Sequence, residues 1–427
     1  MQGKRGRFLG GLLLGVGMAA YAELAQAAII NVPGNQPTIQ AGINAANPGD
    51  TVLVADGTYV ENINLDSSIT VRSVNGAAST VINGGGSRTV QIGDGIIDGF
   101  TITGGGGTDW NNGSGIGVEG SSFPTIKNCI VKENTAIGAG GGIFCDVNSS
   151  PTIANCIIVN NAVLNDEYGN NLGGGIYCNG DSVNITNCTI FENTASNGMG
   201  IYAGTCYACD GSTNFYSSVK VVNSIVWDRR PIISPIGVAE GSSVNISYSD
   251  VFGGWPGTGN INADPQLLEQ FDPKAYHILN PESPCIDAGT DVGAPPDDID
   301  GDARPQGAGY DMGADEYTAT LALDITLNQS SFTTGQTLRA TAHITNDATP
   351  DAVKVQVWVE LPNGSQKTIR NIPSYNVPAN ANLTVTLFNY TFKGNEPAGT
   401  YLLGGRLSDS ATGAVLSEAI EPFSFTR

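Results

Sequence analysis

Between residues 95 and 252 one short run of residues is written five times: an apolar stretch, Asn-Cys-Ile or a close variant, Asn-Thr-Ala, then glycines followed by Ile. A chain that repeats itself in this way is assembled from stacked copies of one unit. Ile126-Lys-Asn128-Cys129-Ile130 recurs as Ile153-Ala-Asn155-Cys156-Ile157, as Ile185-Thr-Asn187-Cys188-Thr189, and more loosely as Val221-Val-Asn223-Ser224-Ile225. Ile97-Asp-Gly99-Phe100 is a divergent earlier copy, so the shared position falls at 99, 128, 155, 187 and 223, in steps of 29, 27, 32 and 36 residues. Between these copies stand Gly115-Ile116, Gly140-Gly141-Gly142-Ile143, Gly173-Gly174-Gly175-Ile176 and Gly200-Ile201. Apolar runs of three to five residues broken by Gly and Asn are too short for the helices of a helical solenoid, so the units are made of strands.

A unit of two or three short strands cannot bury its apolar side alone and needs a like neighbour on each side. Parallel stacking sets like residue on like residue at roughly 4.8 Å, which explains why Asn follows Asn and Cys follows Cys. Asn in such a column can adopt the left-handed conformation of a turn and hydrogen-bond its neighbours. This wording resembles the right-handed parallel β-helix of the pectin-lyase-like superfamily, and the Asn-Thr-Ala and glycine-triplet phrases are similar to the repeats of bacterial polymorphic outer-membrane proteins. The expected fold is all-β: a right-handed parallel β-helix over residues 28–270, of roughly nine coils, followed by an immunoglobulin-like sandwich.

The N-terminal segment, residues 1–27, combines Lys4, Arg5 and Arg7, an apolar run from Phe8 to Ala22, and Ala25-Gln26-Ala27. It reads as a secretory signal peptide, which places the mature protein outside the cell, secreted or at the cell surface, with no membrane span left after cleavage. One amphipathic helix is expected to begin at Pro37-Thr38-Ile39, with Ile39, Ile43 and Ala46 on one face and a stop at Asn47-Pro48-Gly49; it would cover the open end of the first coil. Ile39-Gln-Ala-Gly-Ile-Asn-Ala-Ala with Gly49-Asp-Thr-Val-Leu-Val is similar to the N-terminal cap of many secreted β-helix proteins.

Ser283-Pro-Cys285-Ile-Asp287-Ala-Gly289, Asp298-Ile-Asp300-Gly-Asp302-Ala-Arg304 and Asp311-Met-Gly-Ala-Asp315-Glu316-Tyr317 resemble the domain called choice-of-anchor Q. The resemblance implies that residues 271–318 close the C-terminal end of the helix. Residues 319–427 alternate strictly in Val353, Val355, Val357, Val359 against Lys354, Gln356, Trp358, Glu360, then turn at Asn363-Gly364. Six or seven such strands suggest the sandwich.

Charge narrows the partners. Lys plus Arg is 19 against 40 Asp plus Glu, for a net charge of −21, and the signal segment carries three of the bases and one of the acids. Such a surface repels nucleic acid, anionic lipid and free polyuronate, and leaves open a neutral glycan or a cation-bridged anionic one. Of eight Cys, Cys129, Cys156 and Cys188 share one repeat position and Cys145 and Cys178 another, which reads as columns of buried thiols, although the stacking distance also permits bridges. Cys206-Tyr-Ala-Cys209 reads as a loop disulfide.

Catalytic constellations of the superfamily are absent. A lyase site needs an acidic Ca²⁺ cluster and a basic residue; Lys127, Lys132, Lys220, Arg229 and Arg230 are the bases on the coils, with Arg229-Arg230 beside Trp227-Asp228 suited to a sugar carboxylate. A polygalacturonase-like site needs grouped acids with Gly-His-Gly, yet the two histidines, His277 and His343, lie elsewhere. Asp166-Glu167 and Asp109 sit in longer inter-coil loops, where β-helix enzymes keep their clefts. Alternating carboxylates at Asp298, Asp300 and Asp302 resemble the start of a Ca²⁺ loop; the alternative is that they bond turn amides or pair with Arg304. Three readings follow: a β-helix that binds extracellular polysaccharide or a cell-surface component without catalysis, a polysaccharide lyase or glycosidase, and an adhesin with a protein ligand.

Overall fold

The computed structural model describes residues 27–427 apart from 107–114, 181, 207–212, 229–233, 268–278, 281, 319–320, 347–350 and 379–380. Its first part is a parallel β-helix with three long sheets of nine, eight and eight strands. The first sheet runs from Ile29–Val32 to Ser243–Ser247 and the second from Gly57–Val60 to Asp250–Val251. The third begins at Ile63–Leu65 and continues through Ile201–Cys206 to Ile236–Val238, with Phe215–Tyr216 added antiparallel. Every other pair in the three sheets is parallel and in register, so that Ile126 pairs with Ile153, Ile153 with Ile185, and Ile185 with Val221.

These files form one continuous core: Ile97, Ile126, Ile153, Ile185 and Val221 are fully buried, together with Cys129, Cys156 and Cys188. The cysteine columns form no disulfides; Cys145 pairs in register with Cys178 on the adjacent strand of the third sheet. Cys206 is disulfide-bonded, as expected for the loop pair, while Cys209 lies outside the described residues. Two columns of asparagine turn the corners. Asn128, Asn155, Asn187 and Asn223 have φ of 53°, 49°, 49° and 50°, the left-handed bend at which the first sheet gives way to the second. Asn134, Asn161 and Asn193 are buried and bonded amide to amide at 3.0 Å from coil to coil.

The glycine triplets serve close approach. A Cβ on Gly142 would lie 2.7 Å from the Gly175 carbonyl oxygen, and one on Gly174 would lie 2.6 Å from that of Met199. Only a residue without a side chain lets these backbones descend coil upon coil.

Both ends are closed. Thr38 caps the helix Ile39–Ala45 by accepting from the Ala41 N–H, and the Glu61 carboxylate accepts from the N–H groups of Ile39 and Gln40. Ile39 and Ile43 drop into the core as expected. At the far end Trp255 packs on that core beside Val244.

The segment expected to close the C-terminal end takes a different path. Residues 285–317 run back along the flank, packing Cys285, Ile299, Met312 and Ala314 against Ile157, Phe191, Ile225 and Trp227 on the outside of the second sheet. They also cover the asparagine corner: Asn223 donates to the Thr290 carbonyl at 2.6 Å, Asn187 to those of Asp311 and Gly313 at 3.3 and 3.4 Å, and Asn155 to that of Asp297 at 2.7 Å. The physical reason is that the outer face of the second sheet is itself apolar at Ile157, Val159 and Phe191 and needs covering along its length.

The C-terminal part is a sandwich. Leu321–Leu327, Thr337–Asn346 and Ala381–Thr391 form an antiparallel sheet. Asp351–Glu360, Gln366–Val377, Gly399–Asp409 and Val415–Thr426 form the other, to whose last strand Ser331–Thr333 adds in parallel. Ile325, Phe332, Leu338, Val357, Leu403, Phe423 and Phe425 fill the space between them. The alternation seen in the sequence holds: Val353 and Val357 point inward and Trp358 outward.

Candidate functional site

The first sheet stacks three charged residues in one outward file. Arg72 is in register with Asp98, and Asp98 with Lys127. Asp98 is 6% exposed, and its carboxylate accepts from Arg72 Nε at 2.8 Å, Lys127 Nζ at 3.3 Å and Asn128 Nδ2 at 2.7 Å. The acid is thus satisfied by two cations and an amide. The bases themselves stay open to solvent, with side chains 49% and 34% exposed. Among the described residues, only Nε of the Arg72 guanidinium is engaged.

Next in the corner column comes Asn155, which donates to Asn128 Oδ1 at 3.2 Å. Its own Oδ1 is buried without a hydrogen-bond partner, because the amide of the following Asn187 is drawn to the cap carbonyls instead. Such an orphaned acceptor calls for a donor. Across from this file lie Pro295, Pro296, Asp297, Ile299 and Gly301 of the flank segment, and the cleft between the two walls measures about 550 Å³. That is the size of a small-ligand or oligosaccharide subsite. One wall offers guanidinium, ammonium and amide donors, and the other offers acidic residues and backbone. The arrangement can bind hydroxyls and oxyanions. Both bases are ion-paired on Asp98.

The expected calcium loop is corrected by its own hydrogen bonds. Asp298 is 2% exposed; its Oδ1 accepts from the N–H groups of Asp300 and Asp302, both at 2.9 Å, and its Oδ2 from that of Glu316 at 3.0 Å. N–H donors meet its oxygens, while Asp300 and Asp302 face solvent. No set of three ligating side chains converges among the described residues. The donor set does not fit Ca²⁺, which needs six to eight oxygens, and the carboxylate instead locks the flank turn. Arg304 and Glu316 form a fully buried ion pair in the same network.

Burial also perturbs this network. Desolvation pushes Asp311 up to about 7 and Asp250 up to about 6, against the hydrogen bonds that each accepts. A carboxyl whose folded value exceeds its unfolded value of 3.8 binds more protons in the folded state, so stability is lost as pH rises from about 4 to about 7. The carboxyls held low, such as Glu396 at about 2, have largely finished titrating in both states by pH 5 and do not oppose this. The flank segment is therefore expected to be better protected at pH 5 than at pH 8. Amide hydrogen exchange at Asp287 and Tyr317, whose N–H groups bond Asp311, reads this directly. Equal or better protection at pH 8 would show the assignment to be mistaken.

Among the described residues, Asp166 and Glu167 lie in a loop turn. Asp166 accepts from the N–H groups of Tyr168 and Asn170 and from Asn170 Nδ2; desolvation raises its carboxyl, these bonds outweigh it, and the group is held below its ordinary value. It shapes a turn, and the neighbouring Glu167 is exposed, so the two carboxylates stand in the inter-coil loop where the sequence places them. Arg229 and Arg230 lie outside the described residues, as do Asp109 and His277. Trp227 packs edge-on against Phe252 beneath the flank segment. The sequence reading named Lys127 but missed Arg72 and Asp98. The signal was present: Asp98 holds the place in Ile97-Asp98-Gly99 that Lys127 holds in Ile126-Lys127-Asn128, so reading down the file sets acid beside base.

No family model matches the chain, and no curated protein does. Solved structures match over about a quarter of it. The CARDB domain of the PF1109 protein from Pyrococcus furiosus, in complex with di-metal ions, is 16% identical over 25% of this chain and 89% of that one, with a TM-score of 0.21. The sporulation control protein Spo0M from Bacillus subtilis is 10% identical over 25% and 50%, with a TM-score of 0.20. A Niemann-Pick type C2 protein from Japanese carpenter ant is 7% identical over 25% and 93%, with a TM-score of 0.19. At such scores the likenesses carry no argument about fold or activity. No helix among the described residues is long and apolar enough to cross a membrane.

Proposed function

We propose that this is an exported β-helix protein, secreted or held at the cell surface, that binds an extracellular polysaccharide along its flank without cleaving it. One observation carries the reading: the cleft in which Arg72 and Lys127, paired on Asp98, stand beside the unpartnered Asn155 acceptor. Sugar hydroxyls are both donors and acceptors, and this wall offers both. A long helix also repeats its grooves along its axis, as an extended polymer does. The signal-like residues 1–27 and the acidic surface support export and disfavour nucleic acid as a partner. The enzyme reading has no support of this kind, because both bases in the cleft are ion-paired.

Affinity electrophoresis through gels containing a glucan, a mannan, a galactan or calcium-bridged polygalacturonate tests it. Wild-type protein is expected to be retarded by at least one polymer. Replacing Arg72 and Lys127 together by Ala is expected to weaken that retardation by about 10-fold, the loss of two polar contacts of about 0.5–1.5 kcal/mol each. Arg72→Lys, which keeps the charge but not the fork, should weaken it less. Release of unsaturated sugar, followed by its ultraviolet absorbance and abolished in Lys127→Ala, would replace binding with lyase activity. Absence of retardation by every polymer would remove the glycan reading altogether.

A further inference from the structure

The outer face of the five-stranded sheet in the C-terminal sandwich carries a second arrangement of sugar-binding chemistry, unrelated to the flank cleft. Trp358 lies half-buried on the face opposite the core, where an indole is not needed for packing between the sheets. Directly across from it in register is Gly404. A Cβ at that position would lie 2.2 Å from Trp358 Cε2 and 2.3 Å from Cζ2, so the indole lies over the bare backbone of the neighbouring strand. Any other residue at 404 would lift the ring off the sheet.

Around this platform stand groups with fixed hydrogen-bonding directions. Arg406 sits two residues along the strand with its guanidinium over the indole, the carbon 5.2 Å from the ring centre. Glu418 on the next strand anchors it through two bonds of 3.1 Å. Gln366 Nε2 is bonded to Glu360 at 3.2 Å, and Thr368 lies beside Trp358 in register. Together these residues surround a depression of about 330 Å³. A stacked indole and guanidinium edged by carboxylate and amide groups suit a pyranose, whose apolar face stacks while its equatorial hydroxyls reach outward. The charges on this face, one guanidinium against two carboxylates, select against an acidic sugar.

We propose that this face is a binding site for a neutral hexopyranose unit of an oligo- or polysaccharide, with Trp358 and the guanidinium of Arg406 stacked on it as platform and Glu418 and Gln366 as polar contacts. The proposal goes beyond the flank cleft and does not depend on it.

Isothermal titration of the full-length protein with cellohexaose, laminarihexaose, mannohexaose and hexagalacturonate tests it. At least one neutral hexaose is expected to give a saturable heat that survives replacement of both Arg72 and Lys127 by Ala. Trp358→Ala is expected to weaken that binding at least about tenfold, the effect of one lost aromatic stacking contact. Trp358→Phe should retain most of the affinity. Arg406→Lys, which keeps the charge while losing the bidentate fork, should weaken it several-fold without unfolding the sheet. Three results would overturn the proposal: no saturable heat with any neutral hexaose, affinity unchanged in both Trp358→Ala and Arg406→Lys, or preference for hexagalacturonate. Loss of binding only in the variant lacking Arg72 and Lys127 would leave the cleft as the glycan site and sink this one.

Discussion

Replacing Asn161 by Leu is expected to destabilise the β-helix by about 4 kcal/mol, from several buried polar groups left unpaired at about 1–3 kcal/mol each. The Asn161 amide donates to the Val131 carbonyl at 2.9 Å and to Asn193 Oδ1 at 3.0 Å, while its Oδ1 accepts from the Asn134 N–H at 3.1 Å and Asn134 Nδ2 at 3.0 Å. All three asparagines are buried away from water, so no solvent replaces the lost partners. Leucine is close in size, and the loss is therefore one of hydrogen bonding and not of volume. Because each coil contacts only its neighbours, the damage should spread to the coils above and below. Urea unfolding followed by circular dichroism gives the size of the effect, and amide exchange at Asn134 gives its reach. In the exposed loop, Asn170→Ala should change stability by less than about 0.5 kcal/mol. An Asn161→Leu protein as stable as wild type would mean that the column follows from the fold without supporting it.

The second large effect is expected from Arg304→Ala. The guanidinium and the Glu316 carboxylate are 0% and 1% exposed, and each is the other's counter-ion. Arg304 Nη2 also donates to the Gly313 carbonyl at 3.2 Å, while Glu316 accepts from the N–H groups of Gln306 and Asp311 at 3.2 and 3.3 Å. Removing the cation strands a buried carboxylate whose pKa burial already raises, at a cost of about 3–5 kcal/mol. The flank segment should loosen first, because Asp298 and Asp311 hold their turns through this same network. Limited proteolysis within residues 285–317 is the direct readout, with faster cleavage in the variant. Exchanging both members, Arg304→Met with Glu316→Leu, should recover much of the loss, since a buried pair is often replaceable by apolar residues. Unchanged proteolysis in Arg304→Ala would show that the covered sheet face, rather than the ion pair, holds the segment.

Much of this architecture is legible in spacing. Asn128, Asn155 and Asn187 recur at intervals that bring them into one column, and their left-handed φ values follow from a residue type that, next to glycine, adopts that bend most readily. Cys129, Cys156 and Cys188 occupy the adjoining column as buried thiols for the same reason of stacked repeats. The N-terminal helix, with Thr38 at its cap and Ile39 and Ile43 inward, is equally local, and so is the alternation of Val353 to Glu360.

The turn-amide role of Asp298 is one of the two readings the sequence offers, but the choice between them and the path of the end segment are hidden because short-range pattern does not report what lies opposite in space. Asp298, Asp300 and Asp302 alternate as cation ligands do, but the Glu316 N–H and the pair with Arg304 come from residues folded back upon them. The flank segment follows the apolar outside of the second sheet, a surface that exists only once Ile157, Phe191 and Ile225 have stacked. Arg72, Asp98 and Lys127 are likewise separated by 26 and 29 residues and meet because the sheet sets them one above another. Periodicity along the chain is enough to specify coils, corners and buried files, since each unit obeys the same steric and apolar constraints as the next. Which carboxylate meets which base, and which face is covered, depends on contacts between segments whose sequences carry no mark of each other.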